Sequence, residues 1–142
     1  MRIIVAGSRI ITDYVAVERV IDVVADGLAI TEIVSGAGRG VDSLGERRAR
    51  EHDTPVRRFP ADWTKHGRAA GPIRNRQMAE YAAGDPEGGA LIAIWDGESR
   101  GTQDMIEEAK TRRLMVQVTV VGLGLVSADP LHASRAPQGG RP

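Results

Sequence analysis

The chain has 142 residues, no formal net charge, no cysteine and only 4% aromatic residues. That length suits one domain with a three-layer core, which must be built from Val, Ile, Leu and Ala. The absence of cysteine excludes disulfides and thiolate metal sites. The amino-terminal apolar run ends at Gly7-Ser8 without a small-residue cleavage site, so it reads as a strand rather than a signal peptide. Residues 114–126 form the longest apolar stretch, but Gln117, Thr119, Gly122 and Gly124 interrupt it and it is too short to span a bilayer. A cytoplasmic protein with no membrane partner, no metal and no resident cofactor is the resulting expectation.

Strand and helix patterns alternate along the chain. Residues 2–6 form an apolar run, as in a strand buried on both faces of a parallel sheet. Val17, Val20, Ile21, Val24 and Leu28 recur at helical spacing behind Thr12 or Asp13 as a cap. A second strand over 30–35 precedes a helix over 41–52, and a short third strand spans 55–59. Residues 60–72 read as a long loop in which Trp63 and His66 stand out as a lid or a simple anchor. A helix over 73–83 and a strand over 90–95 follow, then a helix over 102–113 and a strand over 115–121. The expected architecture is α/β, a Rossmann-like doubly wound parallel sheet of about five strands in the order 3-2-1-4-5 with helices on both faces. Residues 1–122 would form this domain, and the Pro- and Gly-containing residues 123–142 a disordered tail.

Charge is uneven despite the neutral sum. Residues 39–76 carry ten Arg or Lys against five Asp or Glu, and residues 77–114 carry four against eight. A basic middle in a neutral chain points to an anionic ligand at one place rather than to a nucleic-acid-coating surface. Arg47, Arg48 and Arg50 read as a solvated helix face. Arg9, Arg39, Arg74 and Arg76 are the candidates for ligand contact.

Ligands of such sheets lie beyond the carboxyl ends of the strands, at the switch between the first and fourth strands. Glycines and unusual polar residues do follow the strands. Gly7-Ser8-Arg9 follows the first, Ser35-Gly36-Ala37-Gly38-Arg39-Gly40-Val41-Asp42 the second, and Asp96-Gly97-Glu98-Ser99-Arg100-Gly101-Thr102 the fourth. The last two run into helix starts, where unpaired N–H groups and the dipole favour an anion. Any one such loop can equally be a tight strand-to-helix turn. Gly36-x-Gly38-x-Gly40 is neither the spaced dinucleotide fingerprint nor a Walker loop, for it lacks the lysine.

Together with Gly71-Pro72-Ile73-Arg74-Asn75-Arg76-Gln77-Met78 and Trp95-Asp96-Gly97-x-Ser99-Arg100-Gly101-Thr102, these segments resemble the YspA-type, cpYpsA-related branch of the SLOG superfamily. The resemblance covers residues 1–121. That superfamily also holds the cytokinin-activating phosphoribohydrolases and the DNA-processing protein DprA. Where the branch usually has two adjacent glycines followed by alanine, this chain has Gly36-Ala37-Gly38. The resemblance implies a Rossmannoid fold that binds nucleotides or nucleotide-derived ligands, often as a sensor in bacteria or phages. It also makes a homodimer conceivable, with an alanine-rich face over residues 78–83 available for it.

In the phosphoribohydrolases an Arg precedes Lys-x-x-Met, and an acidic residue sits in the helix after a Gly-Thr turn. Arg74 is similar to that Arg, with Asn75 in place of the Lys. Gly101-Thr102 is similar to the turn, with Asp104 or Glu107 as the acidic candidate, since the position three after Thr102 is Met105. Such a carboxylate would direct water at an N-glycosidic bond. Asp104 fits as well the plain role of a carboxylate in the first turn of a helix. Trp95 and Met78 read as core.

Three functions follow. The leading one is a non-catalytic or weakly catalytic nucleotide-ligand domain. Phosphate would lie on the backbone of Ser35, Gly36, Gly38 and Gly40 and of Ser99, Gly101 and Thr102, with Arg9, Arg39 and Arg74 neutralising it. Gly7, Ser8 and Asp42 complete the set, and Asn75 and Asp96 would orient the sugar or base. The second is an N-glycoside hydrolase using Asp104 or Glu107 with Arg74. The third, a DprA-like single-stranded DNA module, fits poorly with a chain of zero net charge and five aromatic residues in total.

Overall fold

A computed structural model describes residues 1–122 and 125–126 of the chain. The expected tail from residue 127 onward lies outside the described residues. The elements are β1 (Arg2–Gly7), α1 (Tyr14–Ala25), β2 (Glu32–Ser35), α2 (Val41–Glu51), β3 (Val56–Arg58), α3 (Trp63–His66), a 3₁₀ turn (Gly67–Ala69), α4 (Ala70–Ala83), β4 (Gly89–Trp95), α5 (Arg100–Thr111), β5 (Met115–Gly122) and β6 (Leu125–Val126). They form one sheet in the order β3-β2-β1-β4-β5-β6. The first five strands are parallel, as the alternation of strand and helix patterns requires. β6 pairs antiparallel to β5, with Val121 opposite Val126. This two-residue strand falls within the segment expected to be a disordered tail, and its pattern is too short to be read from sequence.

The pleat of β1 sorts its side chains into two cores. Ile3 and Val5 face α1 and α2, packing with Val17, Val20, Ile21, Val41 and Ala49. Ile4 and Ala6 face the other way, against Met78, Ala79 and Ala82 of α4 and Met105, Ile106 and Ala109 of α5. Helices therefore cover both faces, and the strands between them read as unbroken apolar runs.

Local differences from the sequence reading have simple causes. α4 begins at Ala70 rather than Ile73, because Pro72 sits in its first turn, where no N–H donor is needed. The expected loop 60–72 contains the short helix α3, capped by Asp62, whose carboxylate accepts from Lys65 N–H at 3.0 Å. α5 begins at Arg100, two residues early, because Ser99 is its cap. Asp13, not Thr12, caps α1 by accepting from Ala16 N–H at 3.2 Å.

Two expectations about surfaces need correction. Met78, Ala79 and Ala82 are buried in the chain's own core, so the alanine-rich face of α4 is not open to a second copy. Arg48 is not part of a solvated face: it is 9% exposed and paired with Asp22 at 2.8 Å, while Arg47 and Arg50 are exposed. Among the described residues no helix is long and apolar enough to cross a membrane.

Gly7 shows how tightly the switch point is built. A Cβ there would overlap the carbonyl oxygen of Ile94 and meet Val41 at 2.8 Å. One residue on, Ser8 N–H donates to the same Ile94 carbonyl at 3.1 Å. Only glycine lets β1 end this close to β4 and α2.

Thr119 of β5 is fully buried, and its hydroxyl has no hydrogen-bond partner among the described residues. Leaving a buried hydroxyl unpaired costs about 1–3 kcal/mol. Thr119→Val keeps the shape and removes that cost, so its urea midpoint is expected to rise by an amount worth about 1 kcal/mol.

Candidate functional site

A cleft of about 580 Å³ opens at the carboxyl ends of the strands. Its walls come from the ends of β1 and β2, the segment from Pro60 through α4, and the start of α5. Of the residues singled out from sequence, Gly7, Arg9, Gly36, Gly38, Asp42, Arg74, Asn75, Ser99, Gly101, Thr102 and Asp104 line it. Ser8, Ser35, Arg39, Gly40, Asp96, Arg76 and Glu107 do not. Arg39, Arg76 and Glu107 are exposed on the surface. Glu107 is one turn beyond Asp104 on α5 and off the lining stripe, so of these two acidic candidates Asp104 is the one that faces the cleft.

The polar residues outside the cleft shape its walls. Ser8 Oγ accepts from Asp96 N–H at 2.9 Å and ties the end of β1 to the turn after β4. The Asp96 carboxylate accepts from Glu98 and Ser99 N–H, each at 2.9 Å, closing that turn. Burial raises its pKa, but these two amides and the Ser8 hydroxyl outweigh burial and hold the carboxyl below the usual range. Ser35 Oγ accepts from Ala37 N–H at 3.0 Å and donates to Glu46 at 2.5 Å. In the structure these bonds give Ser8, Ser35 and Asp96 a part in shaping the cleft walls.

Two amides of the glycine loop after β2 are likewise bonded from within. Asp42, in the first turn of α2, accepts from Gly38 N–H at 3.0 Å. The amides of Ala37 and Gly38 thus bond to Ser35 and Asp42. At α5 the cap Ser99 takes the amide of Thr102, and Gln103 N–H bonds Ser99 O. The N–H groups of Arg100 and Gly101 have no hydrogen-bond partner among the described residues. Ala37 adopts φ 62°, the left-handed region that costs a side-chain-bearing residue roughly 1–2 kcal/mol. That is the position where the alanine of this chain replaces a glycine.

Arg74 holds the centre of the wall. It reaches from α4 to the end of β2, donating through Nη1 to Gly36 O at 2.5 Å and through Nε to Asn75 Oδ1 at 3.0 Å. Gly36 must be glycine for this: a Cβ would stand 2.6 Å from Arg74 Nη1 and 2.9 Å from Asp42 Oδ2. Asn75 is 4% exposed and donates to Gly101 O at 3.2 Å and to Asp104 Oδ2 at 2.9 Å. Its side-chain amide therefore joins α4 to α5 and aims the Asp104 carboxylate.

Charge in the cleft is predominantly positive, with Arg9, Arg68, Arg74 and Arg100 facing Asp42 and Asp104. Arg68 carries no glycine or motif signal of its own, and Arg100, although inside the run after the fourth strand, is not among the residues singled out for ligand contact. Helix starts drawn at Ala70 and Arg100 instead of 73 and 102 would have placed both at the cleft rim. Burial lowers the pKa of Arg74, Asp42 raises it, and Arg9 lowers it again. An arginine starts from so high a value that it stays charged. Among the described residues no group of three His, Cys, Asp or Glu stands together to hold a metal ion.

Burial also raises the pKa of Asp42, against the pull of the Gly38 amide and Arg74. The folded chain therefore keeps a proton on Asp42 where the unfolded chain has lost it. The stability tied to this group is full below the ordinary carboxylate range and falls as pH rises through it. Asp42→Asn keeps an acceptor for Gly38 and is expected to flatten this decline in urea midpoints measured from pH 4 to 7. Asp42→Ala, which orphans Gly38 N–H, is expected to lower stability by about 1–2 kcal/mol.

The sequence model of the YspA, cpYpsA-related SLOG family matches residues 1–66, the part that carries Gly7-Ser8-Arg9 and the loop over 35–42. A curated relative, "Gene 61 protein" of Mycobacterium phage D29, is 30% identical over 118 residues, spanning 77% of this chain and 88% of the relative. No solved structure matches the chain significantly. The shared sequence over most of both chains and the strand order seen here lead to one assignment: this chain belongs to the YspA, cpYpsA-related SLOG family.

Proposed function

We propose that the chain binds a nucleotide or nucleotide-derived ligand in the cleft at the carboxyl edge of its sheet, with Arg74 as the principal anion contact. The observation that carries this reading is the four-arginine cleft over the β1–β4 switch point. Family membership supports the same class of ligand. Phosphate would meet the free amides of Arg100 and Gly101, where the α5 dipole adds to the field, and the guanidinium of Arg74. Arg9 and Arg68, both exposed, would close on the ligand from the rim. Arg74 is already fixed by Gly36 O and the Asn75 side chain, so it loses little freedom on binding.

Titration calorimetry against nucleoside monophosphates, ADP-ribose and NAD tests this. Arg74→Ala is expected to weaken the best ligand at least about tenfold, the loss typical of a hydrogen bond to a charged group. Equal binding by the variant, or no binding by the native chain, would refute the reading.

One observation favours a second reading, hydrolysis of an N-glycosidic bond. Asp104 faces the cleft with its carboxylate held by Asn75 and Arg74 one residue away from that Asn. A carboxylate so placed can take a proton from water as the water oxygen bonds to the sugar carbon, while the base leaves with a proton. Chromatography of the nucleotide panel for released base separates the two. Sustained turnover that Asp104→Asn abolishes would establish the enzyme; no release by the native chain leaves binding as the function.

A further inference from the structure

We propose that the indole of Trp63 is the stacking surface for the nucleobase of the bound ligand, an inference that rests on the nucleotide-binding reading above. Trp63 is 57% exposed. Of the large exposed apolar side chains among the described residues, it is the one that lines the cleft. Leaving that much aromatic surface in water is unfavourable by roughly 25 cal/mol for each Å². A flat ring laid against it recovers this and adds a stacking contribution.

The indole is held in place rather than loose. Asp62 caps the single turn of α3 at one end, and His66 N–H returns to Asp62 O at 2.9 Å. At the other end Gly67 adopts φ 56° as the chain turns into the 3₁₀ segment. The ring edge rests by the first turn of α4, where an added Cβ on Gly71 would contact Trp63 Cη2 at 3.5 Å. Pro60, Ala61 and Pro72 line the cleft in the segments next to Trp63 and Gly71. A phosphate gains nothing from such a wall and a sugar ring less than a purine or pyrimidine, whose whole face can lie flat against it. The other tryptophan is not available: Trp95 packs against the core and spends its indole N–H on Ser99 O at 3.0 Å. Stacking on one aromatic face is tolerant of base identity, so the site is expected to take all four bases with modest preferences.

The test compares the four nucleoside 5′-monophosphates with ribose 5-phosphate, which lacks the base, by calorimetry on the full chain. For the native chain at least one monophosphate is expected to bind tighter than ribose 5-phosphate. Trp63→Ala is expected to lose about 10- to 100-fold in affinity for that monophosphate, the range for loss of a base–aromatic stack, and to keep ribose 5-phosphate unchanged. Trp63→Phe is expected to retain most of the affinity. An unchanged monophosphate affinity in Trp63→Ala overturns the proposal. So does an equal loss for ribose 5-phosphate, which would make Trp63 a prop for the loop. Native binding of ribose 5-phosphate with no monophosphate tighter overturns stacking alone and leaves the anion site standing. Failure of all five to bind overturns both.

Discussion

β1 is the central constraint of this molecule. It pairs with β2 on one side and β4 on the other, both parallel, and the connections that leave β1 and β4 run to helices on opposite faces of the sheet. The connections cannot fill the space directly above β1, and a crevice opens there. The rest of the site consists of what closes around that crevice: the loop after β2, the turn after β4, and α4 packed across the sheet between them. Gly7 and Ser8 set how close these parts come, the first by lacking a side chain and the second by bonding both Ile94 and Asp96.

A second level of order is polar and almost closed on itself. Arg74 binds the β2 loop through Gly36, Asn75 binds the start of α5 through Gly101, and the two side chains bind each other. One turn of α4 thus connects both glycine-rich segments. Asp42 and Asp104 lie at either end of this chain of contacts, each taking a donor from the wall. The arrangement leaves the amides of Arg100 and Gly101, the remaining guanidinium donors and the Trp63 ring turned to the cleft.

The fold was legible in the sequence because buried parallel strands are apolar without interruption and their helices are amphipathic. Ile3–Ile4–Val5–Ala6 and the helical spacing of Val17, Val20 and Ile21 suffice to order the sheet. The place of the cleft was legible too, since Gly7, Gly36 and Gly101, which line it, all follow strands. Individual roles were not. Whether Ser35, Asp42 or Asp96 meets a ligand or its own backbone depends on distances of a few tenths of an ångström across residues far apart in sequence. Asn75 shows the same limit: its partners Gly101 and Asp104 lie 26 and 29 residues away. Arg68 was hidden because short helix starts carry little periodicity, and Arg100 stood in the run after the fourth strand with no role assigned to it.

The account rests on a nucleotide-type anion occupying the carboxyl edge and nowhere else. Glycine amides report this directly in a two-dimensional NMR titration with AMP, because they sit at both ends of the sheet. Shifts are expected at Gly7, Gly36, Gly38, Gly71 and Gly101, which line the cleft. Gly27, Gly84 and Gly88, which precede β2 and β4 at the other end, are expected to stay in place. Shifts confined to the latter group, or no shifts at all at saturating AMP, would contradict the account.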